Sequence, residues 1–227
     1  MKFILTTLIV SLFSIVLANT LGVVQKVEGI VKVKPKDSIK KKKVKIGYEI
    51  QQGDIISTFR NSNAVLKLKD ESVVVLGEKS TISFLAQNNV KQSEGKVYYK
   101  ITSRDADNKL KIKTNFAIIG IKGTTFVIGS DTNSSYVALK EGLIGIESMK
   151  EQFILYKKQV MQQYKNYVNK QMTEFEKYKQ DQIKEVGEMT KEFDLHAGKV
   201  VSFEGNKATM DKLDSQKEFE EFEKLLK

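Results

Sequence analysis

The chain has 227 residues, no cysteine, one histidine and a formal net charge of +10. The absence of Cys excludes a disulfide framework and thiolate metal sites, and one histidine leaves little for His-based catalysis. Of 38 cationic residues only Arg60 and Arg104 are arginines. Groove reading and bidentate phosphate recognition favour Arg, so nucleic-acid binding is not expected.

Met1-Lys2 precedes the apolar stretch FILTTLIVSLFSIVLA, with Val16 and Ala18 as small residues before Asn19. This pattern predicts a cleavable secretory signal over 1–18. An uncleaved anchor is the rival, but about 15 apolar residues fall short of the roughly 20 of a spanning helix. No later segment is apolar enough to cross a membrane, so an exported, periplasmic protein is expected.

A β-rich body is predicted over 19–148. Gly22 to Lys34 reads as a strand kinked at Gly29. The lysine run that follows, Lys36 and Lys40 to Lys45 interrupted by Val44, reads as a loop or edge that discourages edge-to-edge pairing. Its functional reading is a polyanion site at Lys40, Lys41, Lys42 and Lys43. Gly53-Asp54 opens a strand at Ile55–Thr58, and Ala64 to Lys69 alternates apolar with charged. Further strands are expected over Val73–Leu76, Ser80–Leu85, Gly95–Ile101, Leu110–Ile121, Thr124–Ile128 and Tyr136–Ile146. So many short strands without intervening helices indicate a sandwich or roll. The near-continuous apolar run Ala117 to Ile121 predicts a strand covered on both sides. Gly120 and Gly123 mark a bulge or a close backbone approach. Glu94-Gly95-Lys96-Val97 and Glu141-Gly142-Leu143-Ile144 echo each other as an internal repeat.

The run Lys113-Thr114-Asn115-Phe116-Ala117 into Gly120-Ile121-Lys122-Gly123-Thr124-Thr125-Phe126-Val127 resembles the FecR domain family. So do Gly53-Asp54-Ile55-Ile56-Ser57-Thr58 and Val137-Ala138-Leu139-Lys140-Glu141-Gly142-Leu143-Ile144. The resemblance covers about Gly47 to Ile146, and departs from the family at Glu71, where glycine is usual, and at Asn115, where proline is usual. It implies a domain of envelope regulators that carry a cytoplasmic segment acting on a sigma factor. Only Met1-Lys2 precedes the apolar stretch here, so direct sigma-factor control is not expected. An exported β-domain binding another envelope component is.

From Met149 to Phe193 the residues favour helix. Phe153, Tyr164, Phe175 and Val186 recur every eleven residues, as do Tyr156, Tyr167, Tyr178 and Met189. Eleven residues in three turns keep both series on one stripe of a nearly straight helix, predicted over 149–193 and roughly 65 Å long. Its aromatic positions, Phe153, Tyr156, Tyr164, Tyr167, Phe175 and Tyr178, are candidate partner contacts. The stripe can cover its own domain, pair with a second copy or dock on another envelope protein. The basic first half and acidic second half predict antiparallel self-pairing. Membrane contact is at most peripheral.

Residues 194–227 predict a strand at His196–Phe203 returning to the body, then a helix capped by Ser215-Gln216-Lys217-Glu218. That helix shows Phe219, Phe222, Leu225 and Leu226 on one face. His196 reads as a favourable charge near a helix end, and Asp54 and Asp70 as turn caps. No phosphate-cradling loop, zinc motif, Ca²⁺ loop or nucleophile elbow is present. No cofactor or metal is expected, and no residue is assigned a catalytic role. The fold class is mainly β with a long inserted helix. The function is a non-enzymatic envelope interaction or signalling module, with cell-wall or polyanionic-glycan binding through 36–45 as the alternative.

Overall fold

A computed structural model describes residues 20–102, 110–121, 123–131, 135–157 and 187–227. The signal expected over 1–18 and the stripe residues Tyr164, Tyr167, Phe175 and Tyr178 lie outside them. Two sheets are stacked face to face. Sheet A holds β1 (Thr20–Glu28), β4 (Glu49–Gln51), β6 (Asn63–Leu68), β7 (Val73–Leu76) and the second half of β9 (Asn89–Lys100). It continues through β12 (Thr125–Ser130), β13 (Ser135–Glu141), β18 (Lys199–Glu204), β19 (Lys207–Lys212), β15 (Phe153–Lys157) and β16 (Glu188–Thr190). Sheet B runs β3 (Lys42–Lys43), β2 (Val31–Lys34), β5 (Ile55–Thr58), β8 (Thr81–Ala86) and the first half of β9. Beyond β9 come β10 (Leu110–Lys113), β11 (Ile118–Ile121), β14 (Leu143–Glu147) and β17 (Glu192–His196). Neighbours are antiparallel except β9 with β10 and β15 with β19.

Alternation along these strands sends one apolar set inward. Leu66, Val74, Tyr99 and Phe126 from sheet A meet Ile56, Ile82, Ile119 and Ile144 from sheet B, all essentially without solvent contact. The Tyr99 and Phe126 rings stack at 4.9 Å. Buried Gln92 is fully used where β9 passes between the sheets. It accepts from Tyr99 Oη at 3.0 Å and donates to the carbonyls of Gly95 and Ile128 at 2.9 and 3.1 Å. Burial pushes the Tyr99 phenol well above its ordinary pKa.

The corner in β9 shows how sequence sets the crossings. Gly95 has φ +84°, and a Cβ there would sit 2.3 Å from Ser80 Oγ, so only glycine serves. Glu94 accepts from Thr81 Oγ1 at 2.8 Å on the neighbouring corner. The same geometry recurs at Glu28-Gly29 beside Ser62, with Asn63 Nδ2 donating to Glu28 at 2.8 Å. It recurs again at Glu141-Gly142 beside Thr124, with Thr125 Oγ1 donating to Glu141 at 3.2 Å. The echo of Glu94-Gly95 and Glu141-Gly142 is thus a repeated corner, and Glu28-Gly29 is a third copy.

The C-terminal helix α1 (Lys217–Lys224) lies on the outer face of sheet A. Phe219 and Phe222 pack over Val65, Val75, Tyr98, Val127 and Ala138, with Tyr98 5.8 Å from the Phe222 ring. All of β12 is buried, with α1 covering its outward Val127. Cover on both sides therefore belongs to β12, whereas β11 alternates and keeps Ile118 and Gly120 half-exposed. The expected capping box is not formed: Gln216 is the N-cap, without a side-chain cap. The Glu218 carboxylate turns instead to Tyr136 Oη and to Lys96 Nζ, the latter at 2.5 Å.

A helix over the whole of 149–193 is contradicted at both ends, where β15, β16 and β17 stand. In β15 the buried residues are Phe153 and Leu155, two apart, so the local period is that of a strand. The intervening stretch 158–186 lies outside the described residues. After it, β18 pairs antiparallel with β13 and with β19. Among the described residues no helix is long and apolar enough to cross a membrane.

Candidate functional site

The outward positions of sheet B form rows that the strand register defines. One row runs Lys91, Lys113, Ile118, Glu147, Glu192 across β9, β10, β11, β14 and β17. The adjacent row runs Asn89, Lys111, Gly120, Gly145, Asp194. Glycine at both central positions leaves a trough of about 440 Å³, floored by backbone. Lys111 stands on one side and Glu147, Glu192 and Asp194 on the other. In the next row Leu143 is 45% exposed opposite His196.

Two features of this face lack an internal reason. Every other glycine of the described residues either has a positive φ or leaves no room for a Cβ, as at Gly129, where one would sit 2.1 Å from the Tyr136 ring. Gly120 and Gly145 have neither. A Cβ on Gly120 would meet nothing nearer than the Gly145 carbonyl at 3.9 Å, and one on Gly145 nothing nearer than Asp194 Oδ1 at 3.8 Å. Strand-interior glycine weakens a sheet and suits a place where another chain approaches closely. The second feature is charge. Lys91 is register partner to Lys113, and Glu147 to Glu192. Like charges directly opposite are destabilising, by a few tenths of a kcal/mol to about 1 kcal/mol. Interleaving the signs would relieve both pairs, yet the face keeps cations on one wall and anions on the other.

The residues singled out from sequence lie elsewhere and are not brought together. Phe153 is 2% exposed, its ring 5.6 Å from Phe193 and 5.5 Å from Phe203, so it is a core residue of β15. Tyr156 is half-buried on the same strand, with Lys207 Nζ 5.1 Å from its ring centroid. Lys40 to Lys43 are exposed at the edge of sheet B, where Lys42 and Lys43 form β3. Asp54 is a turn cap, accepting from Gln51 N at 2.9 Å and Tyr48 Oη at 2.8 Å. Burial first, and then this carboxylate, push the Tyr48 phenol upward. Asp70 accepts from Ser72 Oγ at 2.7 Å. Among the described residues no group of three or more His, Asp or Glu could hold a metal ion.

Sequence reading singles out Gly120 but gives no reason to pair it with Gly145. Their common row depends on the β11–β14 register, which spacing along the chain does not reveal.

Residues 54–145 match the family model described as FecR protein. This segment contains both trough glycines and the lysine wall, while Glu147, Glu192 and Asp194 lie after it. No curated protein matches the chain. Two solved structures, at 1.65 and 2.50 Å, are similar in shape; both are described as a "putative anti-sigma factor" from Parabacteroides distasonis. Each is 13% identical, with a TM-score of 0.47 over 72% of this chain and 61% of the other. This chain thus spans about three-fifths of the length of those neighbours.

Proposed function

We propose that the protein is a non-enzymatic interaction and signalling module of the cell envelope, exported by residues 1–18, whose protein partner docks on the open face of sheet B. The observation that carries this is the paired Gly120 and Gly145 between segregated charged walls. A partner segment lying in the trough would bring its own backbone or small side chains against the glycines. Its acidic groups would face Lys91, Lys111 and Lys113, and its basic groups Glu147, Glu192 and Asp194. Such complementarity sets orientation and partner choice. The FecR match over 54–145 supports a signalling role.

Gly145→Phe tests it, because the added ring fills the trough while its Cβ meets no atom closer than 3.8 Å. In-cell crosslinking with mass spectrometry is expected to capture a specific envelope protein with the natural chain and to lose it with Gly145→Phe. Capture that is indifferent to the substitution sinks the assignment of this face.

The exposure of Lys40 to Lys43 favours a second reading, binding of a cell-wall or other polyanionic glycan at that edge.

A further inference from the structure

The lysine run has a property that charge alone does not convey. Between β2 and β4, residues 36–46 carry six lysines against one acid, Asp37, a net of +5. Isoleucines stand at both ends of the cationic stretch: Ile39 is 95% exposed and Ile46 67% exposed. Val44 is the buried residue of the run, at 2%, and its amide donates to the Val31 carbonyl at 2.9 Å. With Lys43 opposite Lys32 and Lys42 opposite Val33, this holds the stretch as the outermost strand and rim of sheet B. Ile39 lies at the hairpin tip, where Ser38 N donates to the Pro35 carbonyl at 3.1 Å, and Ile46 at its base. Beside that base Ile30 is 52% and Phe59 37% exposed, joined by a bond from Phe59 N to the Ile30 carbonyl at 3.1 Å.

One exposed isoleucine would be ordinary, but Ile39 and Ile46 flank a cationic run with Ile30 and Phe59 beside its base, and a partner that covered them would gain apolar burial. A soluble glycan neutralises lysines but offers little cover for aliphatic groups. An anionic bilayer surface supplies both, with phosphates at headgroup depth for the ammonium groups and acyl chains just beneath for the aliphatic ones. Lysine also suits it, since a diffuse field of phosphates needs point charges rather than the planar fork of arginine. We propose that this rim is a peripheral contact for an anionic phospholipid bilayer, with Ile39 and Ile46 entering below the headgroups and Lys40 to Lys43 and Lys45 lying on the phosphates. This contact is separate from the trough and competes with the glycan reading of the lysine edge. It would fix the module against a membrane while the trough remains free.

The chain has no cysteine, so Ile39→Cys and Ile46→Cys each create one labelling site on the full chain. An environment-sensitive fluorophore there is expected to shift to the blue and be quenched by lipid-borne quencher on vesicles of phosphatidylcholine with about one-third phosphatidylglycerol. The effect should fade as salt is raised. A label at Met189, which is 67% exposed on β16, is expected to stay unshifted and serves as control. With the label placed at Lys41→Cys instead, Ile39→Ser with Ile46→Ser is expected to lower the share of vesicle contact that it reads by about tenfold. Retention on immobilised heparin, a polyanion without acyl chains, is expected to be unchanged. No shift at positions 39 and 46 overturns the proposal. So does an equal shift on heparin, or indifference of the Lys41→Cys label to the two serines, either of which restores the glycan reading. None of these readouts depends on the trough partner.

Discussion

The outer faces of the two sheets have the same backbone pattern and opposite fates. On the β6, β7, β9, β12 and β13 part of sheet A the outward residues include Val65, Val75, Tyr98, Val127 and Ala138, and α1 seals them from water. On the β10, β11, β14 and β17 side of sheet B they are lysines, acids, Ile118 and the Gly120–Gly145 pair, and they stay open. The inner faces are equally apolar, so the difference concerns only every second residue. An antiparallel sheet can leave one face in water, and here each sheet makes its own choice. Sheet A spends its outer face on stability. Sheet B keeps glycine and like-charge neighbours at a small cost to stability, and the proposed docking site rests on that local conflict.

That contrast is best broken by emptying the covered face. Phe219→Ala removes a fully buried ring beneath α1 and should cost about 3 kcal/mol, a fall of roughly 6–12 °C in melting temperature for a chain of this size. Calorimetry that found less than 1 °C would mean that α1 contributes little to holding sheet A. Next is the passage between the sheets. Gln92→Leu leaves Tyr99 Oη and the Gly95 and Ile128 carbonyls short of a bond and should cost about 2 kcal/mol. Urea unfolding measures this, and Gln92→Glu should be at least as damaging because it buries a charge.

At the rim of α1 the effects shrink. Lys140 Nζ bonds Glu223 Oε1 at 2.6 Å, but both side chains keep contact with water. Glu223→Gln should therefore change stability by at most about 1 kcal/mol, less in high salt. The smallest effect has the opposite sign. Glu147→Lys turns a like-charge pair into an opposite one beside Glu192 and should stabilise by about 0.5 kcal/mol. The same substitution should abolish capture of the trough partner. A chain both stabler and disabled would separate the two faces; a destabilised one would show that the acidic wall has an internal structural role.

The chain was readable where local pattern and tertiary demand agree. Ala64 to Leu68 alternates in sequence and in burial. The segment around Gly120 to Val127 carried the FecR resemblance, now matched over 54–145. Reading failed where one apolar set fits two periods. Phe153 and Tyr156 lie three apart and fit a helix stripe, whereas Phe153 and Leu155 lie two apart and are the pair that is buried. Ser215 and Glu218 have capping-box spacing, but Glu218 is drawn to Lys96 and Tyr136, which are remote in sequence and invisible to a local rule.

By itself the sequence determined the mainly β character, the corner glycines and the lysine edge, because these follow from side-chain period, backbone freedom and charge, all local properties. Only the tertiary structure decided which outward face is sealed and which is open, and that Gly120 meets Gly145 while Lys91 meets Lys113. Those facts depend on register between strands far apart in the chain. A shift of one residue would send the opposite set outward, and the stacked layers with α1 upon them hold a single register in place.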